Sequence, residues 1–167
     1  NNLEGDFVEC GVWKGGNLIL FQKMIERLNL KNKKIYGYDT FEGMSEPTDF
    51  DADTFMGGLK AKEHMNLQPK DINVDNIHAY APLDMVKSIY SGNTDKNNNL
   101  TLVKGKVEDT LKDPKNVPEK ISILRLDTDW YESTKVELEI LYPRLIKNGI
   151  LIIDDYGVWN GATKATQ

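Results

Sequence analysis

Five short apolar runs, each closing within two residues on a glycine or an acidic residue and separated by longer stretches, constrain this chain most. Phe7-Val-Glu-Cys10 meets Gly11, Lys34-Ile-Tyr-Gly-Tyr38 meets Asp39, and Leu100-Thr-Leu-Val103 meets Gly105. Ile121-Ser-Ile-Leu-Arg-Leu126 runs into Asp127, and Ile150-Leu-Ile-Ile153 into Asp154 and Asp155. Strands alternating with helical stretches are the βαβ pattern, so the chain reads as α/β, a mostly parallel sheet flanked by helices. Leu18, Phe21, Ile25 and Leu28, at three- and four-residue spacing, predict a helix from Leu18 to Leu30. A second helix precedes the last strand, with Thr134 and Glu137 at capping-box spacing and Lys147-Asn148-Gly149 as its C-terminal stop. Gly161 to Gln167 reads as the opening of another helix, and Asp95-Lys-Asn-Asn-Asn99 as a solvated turn.

Residues 42–75 break the pattern. They are acidic, hold Pro47 and Pro69, and show no clear period, which predicts a lid or specificity segment with a short helix. Repeats and linkers are absent, so residues 1–167 form a single domain. With 26 acidic against 21 basic residues, a net charge of −5 argues against nucleic acid as partner. The longest apolar runs fall far short of the ~20 residues a membrane helix needs. One cysteine, Cys10, leaves no disulfide framework and too few thiolates for a zinc or iron–sulfur cage, and implies a reducing cytoplasm.

Ligands of open parallel sheets bind beyond the carboxyl ends of the strands, which directs attention to Glu9-Cys-Gly11, Asp39, Gly105, Asp127 and Asp154-Asp155. Glu9-x-Gly11-x-x-x-Gly15-Gly16 suits a tight strand-to-helix turn that lets backbone approach a ligand; a turn without any ligand is the plainer alternative. Asp39, at the tip of the second strand, is placed to accept ribose hydroxyls. A carboxylate at Glu9 would repel the diphosphate of NAD and welcome the amino group of S-adenosylmethionine. Asp127, Asp154 and Asp155 form a hard, all-oxygen set suited to Mg²⁺, with Mn²⁺ or Ca²⁺ as alternatives, although single aspartates at strand ends often only cap helices.

Other patterns carry less weight. Tyr131 and Lys135 have the spacing of short-chain dehydrogenases, but Asn17 stands where a third glycine belongs. Asp127-Thr-Asp129 resembles the metal-binding pair of nucleotide-sugar glycosyltransferases, a pattern short enough to recur by chance. Asp49, Asp51 and Asp53 begin like a calcium loop, yet Thr54 and Lys60 replace its glycine and glutamate. His64 and His78 sit in polar, aperiodic sequence, as surface histidines do. Trp13 and Trp130-Tyr131 suit either stacking on a ligand or ordinary packing. Arg125 interrupts an apolar strand and, if buried, needs a carboxylate partner.

Four long blocks in order go further: Gly5-Asp-Phe-Val-Glu-Cys-Gly-Val-Trp-Lys-Gly-Gly16, Tyr36-Gly-Tyr-Asp-Thr-Phe-Glu-Gly-Met44, Leu124-Arg-Leu-Asp-Thr-Asp-Trp-Tyr-Glu-Ser-Thr134, and Leu141-Tyr-Pro-Arg-Leu145 with Gly149-Ile-Leu-Ile-Ile-Asp-Asp-Tyr-Gly157. Together they resemble the macrocin O-methyltransferase family over nearly the whole chain. The resemblance implies a Rossmann-like class I methyltransferase fold that uses S-adenosylmethionine and Mg²⁺ to methylate a hydroxyl of a sugar or glycosylated small molecule, with a homo-oligomer allowed. By position it implies Asp127, Asp154 and Asp155 as metal ligands and Asp127 as general base. It assigns the cofactor to Glu9, Cys10, Gly11, Gly15, Asp39, Thr40, Asp127 and the adenine-lining Lys106 and Val107. It also implies helices before residue 1 and further strands after Gln167, so the 167 residues read as a fragment truncated at both ends. The alternatives are an NAD(P)-dependent short-chain-type oxidoreductase and a non-catalytic cofactor-binding module.

Overall fold

A computed structural model describes residues 3–54, 57–95 and 99–167. Lys96, Asn97 and Asn98, the centre of the expected solvated turn, lie outside the described residues.

The apolar runs form one sheet. β1 (Asp6–Cys10), β2 (Ile35–Asp39), β5 (Leu100–Lys104), β6 (Ile121–Leu126) and β7 (Leu145–Ile153) stand in the order β5-β2-β1-β6-β7, every pairing parallel. The chain starts at the centre, builds outward through β2 and β5, then crosses to the other side for β6 and β7. The switch point therefore falls between β1 and β6, where a crevice opens at the strand ends.

Alternation along the strands feeds two cores. Phe7, Ile35 and Ile123 pack under α1 (Gly16–Arg27) and α3 (Leu83–Asn93) through Leu18, Phe21, Ile25, Val86 and Tyr90. Val8, Cys10, Leu124 and Leu126 face α4 (Val107–Thr110) and α5 (Tyr131–Ile140). A third cluster joins α2 (Ala61–Asn66) to α6 (Asn160–Thr166), with Trp130 and Trp159 in edge contact at 5.0 Å.

Three boundaries differ from the sequence reading, each for a local reason. α1 stops at Arg27, because Asn29 adopts a left-handed φ of 49° and turns Leu28 outward to 61% exposure. α5 begins at Tyr131, which leaves Thr134 and Glu137 inside the helix and buried. Its first amide is capped from afar: Tyr131 N–H donates to Asp51 Oδ1 at 2.8 Å. Lys147-Asn148-Gly149 does not end α5 either, since it lies within β7. There β6 advances from Ile121 to Ile123 while β7 advances from Leu145 to Ile150, and Asn148 takes its left-handed φ of 67° inside that bulge.

The 42–75 segment folds into a two-stranded hairpin, β3 (Ala52–Asp53) and β4 (Leu59–Lys60), followed by α2. It is tied down. Buried Asp51 accepts from Thr48 N–H and Oγ1–H as well as from α5, Trp130 Nε1–H donates to Ser45 O at 3.0 Å, and Thr54 N–H donates to Val158 O. Gly161 has to be glycine here, because a Cβ would stand 1.9 Å from Asp51 Oδ1.

Candidate functional site

The crevice at the switch point is built first from backbone. Gly11 leaves β1 with φ 83°, and a Cβ there would sit 1.8 Å from the Asp127 carbonyl oxygen. Only glycine lets the tips of β1 and β6 close on each other, as the 2.9 Å bond from Asp127 N–H to Cys10 O requires. Gly15, at φ 82°, then reverses the chain into α1.

Asp39 fixes the turn between them. Its Oδ2 accepts from Val12 N–H at 2.8 Å and Trp13 N–H at 2.9 Å, and its Oδ1 from Phe41 N–H at 2.6 Å. Burial raises its pKa, an effect these amides oppose. Gly11, Asp39, Thr40, Lys106, Val107 and Asp127 all line the crevice. Glu9, Cys10 and Gly15 do not line it. Buried Glu9 accepts from Asn17 Nδ2–H at 2.9 Å and from Arg125 at 3.0 Å on Oε1, while Oε2 is buried with no partner among the described residues. Burial pushes the Glu9 carboxyl up to about 7. Cys10 packs in the core with its thiol pKa raised by burial.

The other rim is charged. Asp127, Asp154 and Asp155 each offer one carboxylate oxygen, all within 4.8 Å of one another. Three hard oxygen donors without a nitrogen or sulfur ligand fit a magnesium-like ion. Burial lifts Asp127 to about 7 against the opposing pull of Arg125, and raises Asp155 as well. Arg125 is ion-paired as expected, to three partners: Glu9, Asp127 at 2.6 Å and Asp154 at 3.0 Å.

Asp129 is the residue that sequence reasoning undervalued. It lines the crevice, holds a left-handed φ of 65°, and donates its N–H to Asp155 Oδ2 at 3.1 Å. Burial and the adjacent Asp155 charge keep its carboxyl protonated well above the usual carboxylate range. Its signal in the sequence was an aspartate two places beyond a strand-end aspartate. Trp13, Met44, Ser45, Gly105 and Thr128 also line the crevice.

The weaker motifs resolve into structure. Neither histidine lines the crevice: His78 Nε2 lies 3.1 Å from Met65 O and 3.0 Å from Gln68 O, and His64 packs near Trp159. Tyr131 and Lys135 lie along α5 outside the crevice, with Lys135 Nζ 5.7 Å from the Tyr131 ring and the Phe50 ring tilted against it at 4.7 Å. Asp49 pairs with Lys60, and Trp130 is buried in packing.

A parallel sheet with a glycine turn pinned by a strand-tip aspartate at the switch point, beside a cluster of three carboxylates, defines a Rossmann-like α/β protein of the methyltransferase class. Solved structures bear this out: the O-methyltransferase NovP superposes with a TM-score of 0.78 at 27% identity, covering 99% of this chain and 63% of that one. Residues 1–167 match the family model described as Macrocin-O-methyltransferase (TylF), and the chain belongs to that family. It is 30% identical over 158 residues to the 8-demethyl-8-(2,3-dimethoxy-alpha-L-rhamnosyl)-tetracenomycin-C 4'-O-methyltransferase of Streptomyces olivaceus, covering 95% of this chain and 55% of the relative. The Mycinamicin III 3''-O-methyltransferase of Micromonospora griseorubida is 30% identical over 156 residues, covering 93% and 57%. The chain thus spans about half the length of these relatives.

Proposed function

We propose that this chain carries the cofactor and metal sites of an S-adenosylmethionine- and Mg²⁺-dependent O-methyltransferase acting on a sugar hydroxyl of a glycosylated small molecule. The observation that carries the reading is that Asp127, which lines the crevice that Gly11 and Asp39 build, converges with Asp154 and Asp155, their carboxylate oxygens within 4.8 Å of one another. The names of the relatives, O-methyltransferases of a rhamnosyl-tetracenomycin and of mycinamicin III, support the acceptor class.

When bound, S-adenosylmethionine supplies an electrophilic methyl group and Mg²⁺ polarises the acceptor hydroxyl. The chain's own residues do the rest. Gly11 and the Asp39-pinned turn would hold the nucleoside, with Thr40, Lys106 and Val107 along its edge. Asp127, Asp154 and Asp155 would hold the metal. Asp127, the member of that trio that lines the crevice, would take the proton leaving the acceptor oxygen on a carboxylate lone pair that the metal leaves free. The turn that Asp39 pins would hold the nucleoside in a fixed position, and such alignment of the reactants is the larger part of catalysis for a simple displacement. Among the described residues no helix is long and apolar enough to cross a membrane, and the lone buried thiol supports a reducing, cytoplasmic setting.

The test is calorimetric titration of the full-length protein with S-adenosylhomocysteine, with and without Mg²⁺ and against NAD, followed by methyl transfer to sugar acceptors. Wild-type protein should bind the homocysteine nucleoside, and Asp154→Asn with Asp155→Asn should abolish transfer while that binding survives. Full turnover in the double variant refutes the metal assignment. Binding of NAD in preference to the nucleoside refutes the cofactor.

A further inference from the structure

Arg125 is the charged member of an otherwise apolar and seryl β6, and it stands directly opposite Glu9 in the β1–β6 register. Its side chain is 15% exposed, and its reach spans three strands. Nη1 meets Glu9 Oε1 of β1 at 3.0 Å and Asp127 Oδ2, just past β6, at 2.6 Å. Nη2 meets Asp154 Oδ1, just past β7, at 3.0 Å. Among the described residues it is the one cation in ion-pair contact with any of these carboxylates.

The carboxylates at this rim repel one another, so left alone they would splay apart or take up protons. A guanidinium is suited to prevent that. It is planar, always charged, and presents donors at fixed angles, so it can hold two carboxylates at a set separation where an ammonium would hold one at a time. Each carboxylate has several lone-pair sites, and Arg125 occupies one oxygen of Asp127 and one of Asp154, leaving the rest for a further ligand. From this geometry we infer that Arg125 is a positioning residue: it holds Asp127 and Asp154 in the arrangement that accepts a divalent cation, braced on buried Glu9 as its anchor. This rests on the metal reading given above and deepens it. Residues that orient metal ligands from behind typically change metal affinity by about 10- to 100-fold when removed.

The experiment uses full-length protein stripped of metal by chelation, titrated with Mn²⁺ while free Mn²⁺ is read by electron paramagnetic resonance. Thermal unfolding without metal is recorded beside it. Wild type should bind Mn²⁺, and D154N/D155N should not. R125M should weaken binding about tenfold or more, and R125K should recover only part of it because one ammonium cannot span both carboxylates. R125M also strands the Glu9 carboxylate in the interior, so R125M/E9Q is the control. It should regain thermal stability yet keep the weakened Mn²⁺ affinity, a combination that an arginine serving the fold alone would not produce. Mn²⁺ binding at wild-type strength or tighter in folded R125M or R125M/E9Q overturns the inference while leaving the metal site standing. No Mn²⁺ binding by wild type overturns both.

Discussion

Two rims of the same crevice use aspartate in opposite ways. On the β1–β2 side, Asp39 accepts three backbone amides, from Val12, Trp13 and Phe41, so its charge organises a turn. On the β6–β7 side, Asp127, Asp129, Asp154 and Asp155 face one another with a single guanidinium among them, and burial drives Asp127, Asp129 and Asp155 upward in pKa. The first rim is satisfied from within and stabilises the fold. The second keeps oxygen lone pairs in reserve and costs stability, as sites shaped for a ligand commonly do.

The strongest way to break this contrast is at the hinge between the rims. Gly11→Ala places a Cβ 1.8 Å from the Asp127 carbonyl at a left-handed φ, and the combined clash and strain should destabilise the protein by about 4 kcal/mol. Urea unfolding measures it; a loss under about 1 kcal/mol would mean that the two strand tips can separate freely. Next comes Asp39→Ala, which orphans three amides and should cost about 3 kcal/mol, with Asp39→Asn milder because one acceptor oxygen remains.

Glu9 sharpens the contrast from behind. The fold raises its pKa from 4.5 to about 7, so the neutral form is the one the native state favours. Native protein therefore binds more protons than unfolded protein between those values, and the stability Glu9 contributes is full below pH 4.5 and lost as pH rises through about 7. At 1.36 kcal/mol per pKa unit the decline is about 3 kcal/mol. Glu9→Gln should flatten that part of the stability–pH curve in chelated protein. An unchanged slope would show that Arg125 keeps Glu9 ionised throughout.

The satisfied rim was largely legible in the sequence, because its parts are local: an apolar run, a glycine turn, an acid at the next strand tip. Gly11 and Asp39 reached the crevice from that reasoning, and Thr40, Lys106 and Val107 from the family resemblance. What escaped it depends on distant partners. The cap of α5 comes from Asp51, eighty residues away, so the nearer Thr134 and Glu137 misled. Asn148 does adopt the left-handed conformation that its type allows, but strand pairing decides that it serves a bulge in β7. Glu9 was expected to face a ligand's amino group, and its opposite number in the register, Arg125, has drawn it inward. α3 was not singled out at all, for its buried positions, Val86 and Tyr90, are too few to give a period.

The smallest expected effect has the most distinctive sign. Asp155 is buried, and its Oδ2 already accepts the Asp129 N–H, an acceptor role that an amide oxygen can keep. Asp155→Asn therefore removes charge without removing that bond, and relieves repulsion with Asp154. Because burial raises the pKa of Asp155, its carboxylate costs stability only once ionised, so the gain should be about 1 kcal/mol at pH 8 and shrink toward pH 5. Chemical denaturation of chelated protein at both pH values measures it, and adding Mg²⁺ should reverse the order by stabilising wild type alone. A variant less stable than wild type at pH 8 without metal would place Asp155 with Asp39, among the carboxylates that build the fold.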